Sequence, residues 1–182
     1  RTRKTLVKED VMQERQGLIT IHGNPLTLLG TPVKAGDKAP DFTALDNDLA
    51  PKSLADYSEK VLVLAAVPSL DTPVCEMETR RFNAEAGKLG KDVKILTLSM
   101  DLPFAQKRWC AASGVEQVQT LSDHRDASFG QAYGLLIKEL RLLARAVLVL
   151  DEKRTVKYME LLPEVTKEPD YEKALAAVKD LL

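Results

Sequence analysis

The sequence predicts an α/β protein in which a central mixed sheet is flanked by helices. A continuous apolar run over 61–67 is typical of a strand that is buried on both faces. Segments of helical and of β-rich character alternate after it, which indicates a parallel βαβ core. Two further strands and a final helix close the chain.

The N-terminal part is predicted to form a β-hairpin over 17–29, with short β-type runs at 17–22 and 26–29 joined by Gly23-Asn24-Pro25. A connector punctuated by Gly and Pro follows over 32–40. A short strand is predicted over 42–45.

The parallel core is predicted to contain helices over 76–89 and 103–112 and strands over 93–100 and 118–121, followed by a short helix over 127–133. Periodicity in the first helix predicts a buried stripe of Met77, Phe82, Ala86 and Leu89. Pro103 suits the first turn of the second helix.

Strands over 146–150 and 155–161, separated by a turn at 151–154, are predicted near the C-terminus. The last helix is predicted from about Pro169, with a buried stripe of Tyr171, Leu175, Val178 and Leu182. This order of elements is that of the thioredoxin fold with an added N-terminal hairpin. A length of 182 residues fits a single domain over 1–182.

Composition excludes several classes of function. A net charge of -1 provides no field for nucleic acid or an anionic membrane, and the longest apolar run, 61–67, is too short to cross a bilayer. The basic opening at 1–4 is not followed by an apolar stretch, so no secretory signal is expected in the residues given. A cytoplasmic location is the default expectation.

The two cysteines, Cys75 and Cys110, are too few for a disulfide-stapled scaffold, and they form no Cys-x-x-Cys pair. His22 and His124 lie far from both cysteines in the sequence, so they are interpreted as structural, and neither a metal nor another cofactor is expected. Cysteines of this kind are more often small buried hydrophobic residues than reactive groups.

The segment over 68–75 changes that interpretation, because it delivers Cys75 from a buried strand to the first turn of a helix. Unpaired N–H groups and the helix dipole favour a thiolate there. Pro68 and Pro73 stiffen the loop, and the Thr72 hydroxyl can reach the thiolate or a bound oxygen. A simpler alternative is that Thr72 caps the helix and Cys75 packs inward.

Acidic neighbours oppose a thiolate at Cys75. Glu76 and Glu78 follow it directly, so a nearby cation is needed to offset their charge. The sequence offers three candidates, which are Arg80, Arg81 and Arg145.

Pro68, Thr72 and Cys75 stand in the spacing P-x-x-x-T-x-x-C, which resembles the peroxidatic motif of the peroxiredoxins. Longer stretches at 68–75, 101–110 and 144–147 resemble the thiol peroxidase branch, the bacterial atypical two-cysteine peroxiredoxins. Similar stretches at 36–42 and 168–171 extend the resemblance over nearly the whole chain.

The resemblance implies that Cys75 is the peroxidatic cysteine and Cys110 the resolving cysteine. It implies that Thr72 positions the thiolate and the peroxide, that Arg145 stabilises developing charge, and that Pro68 shields the pocket. Hydroperoxides would then be reduced through a Cys75 sulfenic acid and a Cys75–Cys110 disulfide that thioredoxin recycles. The resemblance also implies a homodimer.

Two alternatives belong to other classes of function. One is a thioredoxin-fold binding or holdase module with a structural disulfide, although such a disulfide needs neither Thr72 nor Arg145. The other is a disulfide oxidoreductase acting on proteins, which the absence of Cys-x-x-Cys disfavours. Trp109 is interpreted as a core residue rather than a docking surface for the reductant.

Overall fold

The computed structural model describes residues 12–182, so the basic opening at 1–4 lies outside the described residues. The strands are β1 (Glu14–Ile21), β2 (Asn24–Leu29), β3 (Ala44–Leu45), β4 (Pro51–Lys52), β5 (Val61–Ala66), β6 (Val93–Ser99), β7 (Gln119–Ser122), β8 (Leu136–Ile137), β9 (Leu142–Leu143), β10 (Ala146–Leu150) and β11 (Val156–Leu161). The α-helices are α1 (Pro73–Leu89), α2 (Pro103–Ser113), α3 (Ser128–Tyr133) and α4 (Tyr171–Asp180). A short 3-10 helix covers Leu54–Asp56.

A seven-stranded mixed sheet, in the order β11-β10-β5-β6-β7-β3-β4, forms the centre of the fold. β5, β6 and β7 are parallel, whereas β10 runs antiparallel to both β5 and β11. Every residue of β5 is buried, as the apolar run predicted. Because side chains alternate along a strand, Leu62 and Leu64 join one core cluster while Val61 and Val63 join the cluster on the other face.

Helix α1 packs with its buried face on the second of these clusters. The buried residues of the helix are Cys75, Glu78, Thr79 and Phe82, in the i, i+3, i+4, i+7 spacing of a single helical stripe. The prediction that Met77 belongs to this stripe is wrong, since Met77 is 50% exposed. Met77 and Phe82 are five positions apart, which places them about 140° apart around a helix.

The last helix begins two residues later than predicted. The Asp170 carboxylate accepts a hydrogen bond from the Lys173 N–H at 3.1 Å and so caps α4, which leaves Pro169 ahead of the helix rather than at its first position. Leu175 and Val178 are buried as predicted. Leu182 is 49% exposed because the helix ends at Asp180.

A second sheet, in the order β1-β2-β8-β9, contains the predicted N-terminal hairpin. Its turn is His22-Gly23, and both residues have positive φ, 48° and 78°, as a two-residue hairpin turn of this type requires. The predicted turn at Gly23-Asn24-Pro25 is therefore wrong by one residue, because Asn24 and Pro25 already belong to β2. The two-residue strands β8 and β9 were not predicted.

Neither a membrane-spanning helix nor a metal site is found within residues 12–182. No helix there has the length and hydropathy needed to cross a membrane. No group of three or more His, Cys, Asp or Glu side chains in this part of the chain is arranged to hold a metal ion.

Candidate active site

Cys75 lies at the corner between β5 and α1, at the carboxyl end of a central parallel strand. It is the third residue of α1, after the cap Thr72 and the first helical residue Pro73, so it occupies the first turn as predicted. Its side chain is 0% exposed. It packs in a small cluster with Val67 and Leu70, against which Trp109 is also packed.

The loop that precedes Cys75 is fixed by a carboxylate from the neighbouring strand. Asp101, just beyond β6, accepts hydrogen bonds from the Ser69 hydroxyl at 2.7 Å and from the Leu70 N–H at 2.9 Å. The Thr72 hydroxyl donates to the Ser69 carbonyl at 2.9 Å. These contacts hold the turn that leads into α1, and they give Asp101 a role that sequence reasoning missed.

Arg145 is the cation next to Cys75. It directly precedes β10, whose first residue Ala146 lies opposite Ala66, the last residue of β5. This register brings the guanidinium to the sheet edge from which α1 starts. Arg145 Nη2 donates to Cys75 Sγ at 3.0 Å, Nη1 donates to Glu78 Oε2 at 2.6 Å, and Nε donates to the Val165 carbonyl at 2.9 Å.

Arg145 and Glu78 form a buried ion pair, with side chains 2% and 0% exposed. Burial raises the pKa of Glu78 to about 7, although the charge and the hydrogen bond of Arg145 work in the opposite direction. Burial alone would lower the pKa of Arg145, but attraction to Cys75 and Glu78 outweighs that effect and raises it. The guanidinium is therefore a permanent positive charge shared between a thiol and a carboxylate.

The two acidic neighbours of Cys75 occupy different environments. Glu76 is partly exposed and pairs with Arg80 at 3.0 Å, while Glu78 is buried against Arg145. Arg81 pairs with Glu172 at 3.0 Å, on the surface. Of the three candidate cations, Arg145 is the one that contacts Cys75, and Glu78 contributes to orienting it.

A cavity of about 330 Å³ adjoins this arrangement. Its lining is mainly apolar and contains four residues with polar side chains, His22, Thr72, Arg145 and Thr166. The apolar residues are Ile21, Pro68, Pro73, Val74 and Val165. Three of the predicted site residues, Pro68, Thr72 and Arg145, thus line a single cavity. Pro68 is buried, whereas His22, Thr72 and Pro73 are exposed, so the cavity opens to solvent on the side that includes Thr72.

Cys110 lies in a different environment, near the end of α2. Its Sγ is 3.5 Å from the Thr120 hydroxyl, which in turn donates to Asn47 Oδ1 at 3.0 Å. Cys110 lines a second cavity of about 310 Å³ whose wall includes Asp46 and Asp48. Both cysteines are free thiols, so the structure is that of the reduced protein.

Comparison with known proteins settles the family. The redoxin family matches residues 34–175. The chain is 58% identical over 164 residues to the thiol peroxidase of Bacillus subtilis (strain 168), a match that covers 90% of this chain and 98% of that protein. It is 55% identical over 163 residues to the thiol peroxidase of Staphylococcus aureus (strain MRSA252), with the same coverage.

The chain belongs to the thiol peroxidase branch of the redoxin family. The family resemblance predicted from the sequence is therefore confirmed, and it assigns the chain to a class of peroxidases. The fold is confirmed as well. A peroxiredoxin-like protein from Aquifex aeolicus, 40% identical, superposes with a TM-score of 0.84 over 94% of this chain and 99% of that one.

The thiol peroxidase from Chromobacterium violaceum, which is only 19% identical, shares the fold with a TM-score of 0.79 over 89% of this chain and 95% of that one.

Besides Asp101, two features of this site were not foreseen from the sequence. Glu78 was interpreted only as a charge opposing the Cys75 thiolate, although its i+3 position was a readable signal that both side chains share one helix face. His22, which was interpreted as structural because it lies far from both cysteines in the sequence, lines the same cavity as Thr72. Trp109 is partly buried and packs against the core, as predicted.

Proposed function

We propose that this chain reduces hydroperoxides, with Cys75 as the nucleophile. The observation that carries the proposal is the 3.0 Å hydrogen bond from Arg145 to a fully buried Cys75 Sγ beside a cavity that opens at Thr72. The thiolate attacks one peroxide oxygen and the O–O bond breaks. Cys75 becomes a sulfenic acid, and the departing oxygen takes up a proton and leaves as water or an alcohol.

The roles of the surrounding residues follow from their positions. Arg145 favours the thiolate before the attack and stabilises negative charge on the departing oxygen during it, because its own charge is fixed and already oriented. Thr72 keeps two lone pairs on its hydroxyl while donating to Ser69, so it can accept a hydrogen bond from a peroxide that is bound at the cavity mouth. Pro68 closes the cavity on its inner side.

Recycling is proposed to use Cys110. Its thiolate attacks the sulfenic sulfur, an S–S bond forms, and hydroxide leaves and is protonated to water. A thioredoxin-type dithiol then reduces the disulfide by exchange. In the reduced protein Cys75 Sγ accepts a hydrogen bond from the buried Arg145, whereas Cys110 Sγ lies beside Thr120 and Cys110 lines the second cavity. We therefore expect the first turn of α1, the end of α2, or both to unwind before the bond can form.

The test is peroxide consumption by the purified protein in the presence of thioredoxin, thioredoxin reductase and NADPH. Turnover of hydrogen peroxide and of an organic hydroperoxide is expected for the wild type, and C75S should abolish it because a serine hydroxyl is not a comparable nucleophile at neutral pH. C110S should complete one round and then stop. Sedimentation of the same preparation tests the expected homodimer.

A binding or holdase module with a structural disulfide gives a different pattern. In that case the wild type would not consume peroxide, and C75S and C110S would lose stability to the same extent. Turnover retained by C75S would also contradict the proposal, because it would place the chemistry elsewhere.

A further inference from the structure

The N-terminal hairpin forms part of the wall of the Cys75 cavity. Ile21 and His22, at the turn between β1 and β2, line it together with Val165 and Thr166 from the segment that follows β11. Ile21 and Val165 contribute apolar surface to this wall. The turn is distant in sequence from Cys75, so its position beside the cavity depends on tertiary contacts.

Glu164 holds it. One carboxylate oxygen, Oε1, accepts hydrogen bonds from the Gly23 N–H at 2.9 Å and from the Thr20 hydroxyl at 3.1 Å. The other, Oε2, accepts from the Thr166 N–H at 2.9 Å and from the Thr166 hydroxyl at 2.6 Å. These bonds lower the pKa of Glu164 to about 2, so the carboxylate is charged at any pH at which the protein works.

The backbone beside Glu164 connects the hairpin to the reactive group. The Val165 N–H donates to the Thr20 carbonyl at 3.0 Å, and the Thr20 N–H donates to the Pro163 carbonyl at 2.8 Å. The Val165 carbonyl accepts the hydrogen bond of Arg145 Nε at 2.9 Å. A single short segment therefore carries the cavity wall, an anchor for Arg145 and the carboxylate that secures the hairpin turn.

We propose that Glu164 is a positioning residue that fixes the hairpin turn as a wall of the hydroperoxide cavity and thereby sets selectivity for organic hydroperoxides over hydrogen peroxide. This inference rests on the proposed function. Hydrogen peroxide has no organic group, so its reaction depends on Cys75, Thr72 and Arg145. An organic hydroperoxide also gains apolar contact with Ile21 and Val165, provided that the wall is in place.

The experiment measures the second-order rate constant for a single oxidation of Cys75 in the C110S protein, with hydrogen peroxide and with cumene hydroperoxide. E164A is expected to lower the ratio of the cumene to the hydrogen peroxide rate constant about tenfold, and I21A should lower it to a similar extent. E164Q, which keeps one carbonyl oxygen as an acceptor, should recover part of the ratio.

E152A provides the matched control, because Glu152 is an exposed carboxylate in the turn between β10 and β11. It should leave both rate constants unchanged. The double variant I21A/E164A should lower the ratio no further than the larger single effect, since both changes remove the same wall. If E164A does not fold, E164Q and I21A decide the question.

An unchanged ratio in I21A and in E164Q or E164A would overturn the inference, as would an equal fall in both rate constants. These outcomes are distinguishable from a failure of the proposed function. If neither peroxide oxidises Cys75 in the unsubstituted C110S protein, the proposed chemistry itself is wrong.

Discussion

Removal of the Arg145 guanidinium should affect stability and reactivity by separate routes. Methionine at this position keeps the unbranched, apolar part of the side chain but loses three hydrogen bonds, those to Cys75, Glu78 and Val165. Leaving one partner of a buried ion pair without the other costs about 3–5 kcal/mol. Loss of a charged donor at the reacting atom should slow peroxide attack by about 10²–10³-fold.

The stability cost should depend on pH because Glu78 can take up a proton. Its pKa is about 7 even beside Arg145, and removing the cation raises it further, so Glu78 is neutral in R145M at neutral pH. The loss of free energy of unfolding in R145M, relative to the wild type, should therefore be smallest in acid and largest above pH 7. The double variant R145M/E78Q should regain most of the lost free energy of unfolding without regaining the rate.

Two assays separate the two effects. Urea unfolding of wild type, R145M, E78Q and R145M/E78Q gives the free energies of unfolding, and their double-mutant cycle gives the coupling between the two side chains. Single oxidation of Cys75 in the C110S background gives the rate. A wild-type rate in R145M would refute the mechanism, and recovery of both rate and stability in R145M/E78Q would show that Arg145 acts on the fold alone.

Three further predictions concern other parts of the structure. Burial raises the pKa of Glu78 from 4.5 to about 7, so between these pH values the folded state binds more protons than the unfolded state. The free energy of unfolding should therefore fall by up to about 3 kcal/mol as the pH rises through this range. Urea unfolding at pH 5 and at pH 8 should show this fall in the wild type and not in E78Q. T120V removes the hydroxyl beside Cys110 Sγ and should speed disulfide formation after oxidation, measured by loss of free thiol, whereas slower formation would show that Thr120 assists the attack. In G30A the added Cβ would clash with the Gln131 carbonyl oxygen, at a φ of +103°, and the fold should lose more than about 2 kcal/mol of stability. Thermal unfolding at the wild-type temperature would contradict this close approach of the two backbone segments.

Local chemistry made the position of Cys75 predictable. An apolar run long enough for a buried strand is followed by a loop and a helical stripe, which puts Cys75 at the corner between strand and helix. The helix itself begins at Pro73, three residues before the predicted start at 76, because proline suits the first position of a helix. The same reasoning predicted the antiparallel pair β10–β11 and its turn. The prediction for Met77 is wrong because apolar character alone does not place a residue on the buried face, and Met77 lies about 140° around the helix from Phe82.

The charge pairing around Cys75 was only partly predictable. Arg145 follows from the family motif, but the choice of Glu78 over Glu76 as its partner depends on the helix face that meets the sheet. The Glu164 contacts join residues about 140 positions apart, which no local pattern encodes. Strands β8 and β9 contain two residues each, too few for alternation to be read from the sequence.

The most direct test of the proposed mechanism is to identify the residue that a single equivalent of hydrogen peroxide oxidises. The C110S protein is treated at neutral pH in the presence of dimedone, which traps sulfenic acid, and the labelled peptide is identified by mass spectrometry. We expect stoichiometric labelling of Cys75, and loss of that labelling in R145M on the same time scale. Absence of label on Cys75 while peroxide is consumed would contradict the central claim that the buried Cys75–Arg145 pair is the peroxide-reducing centre.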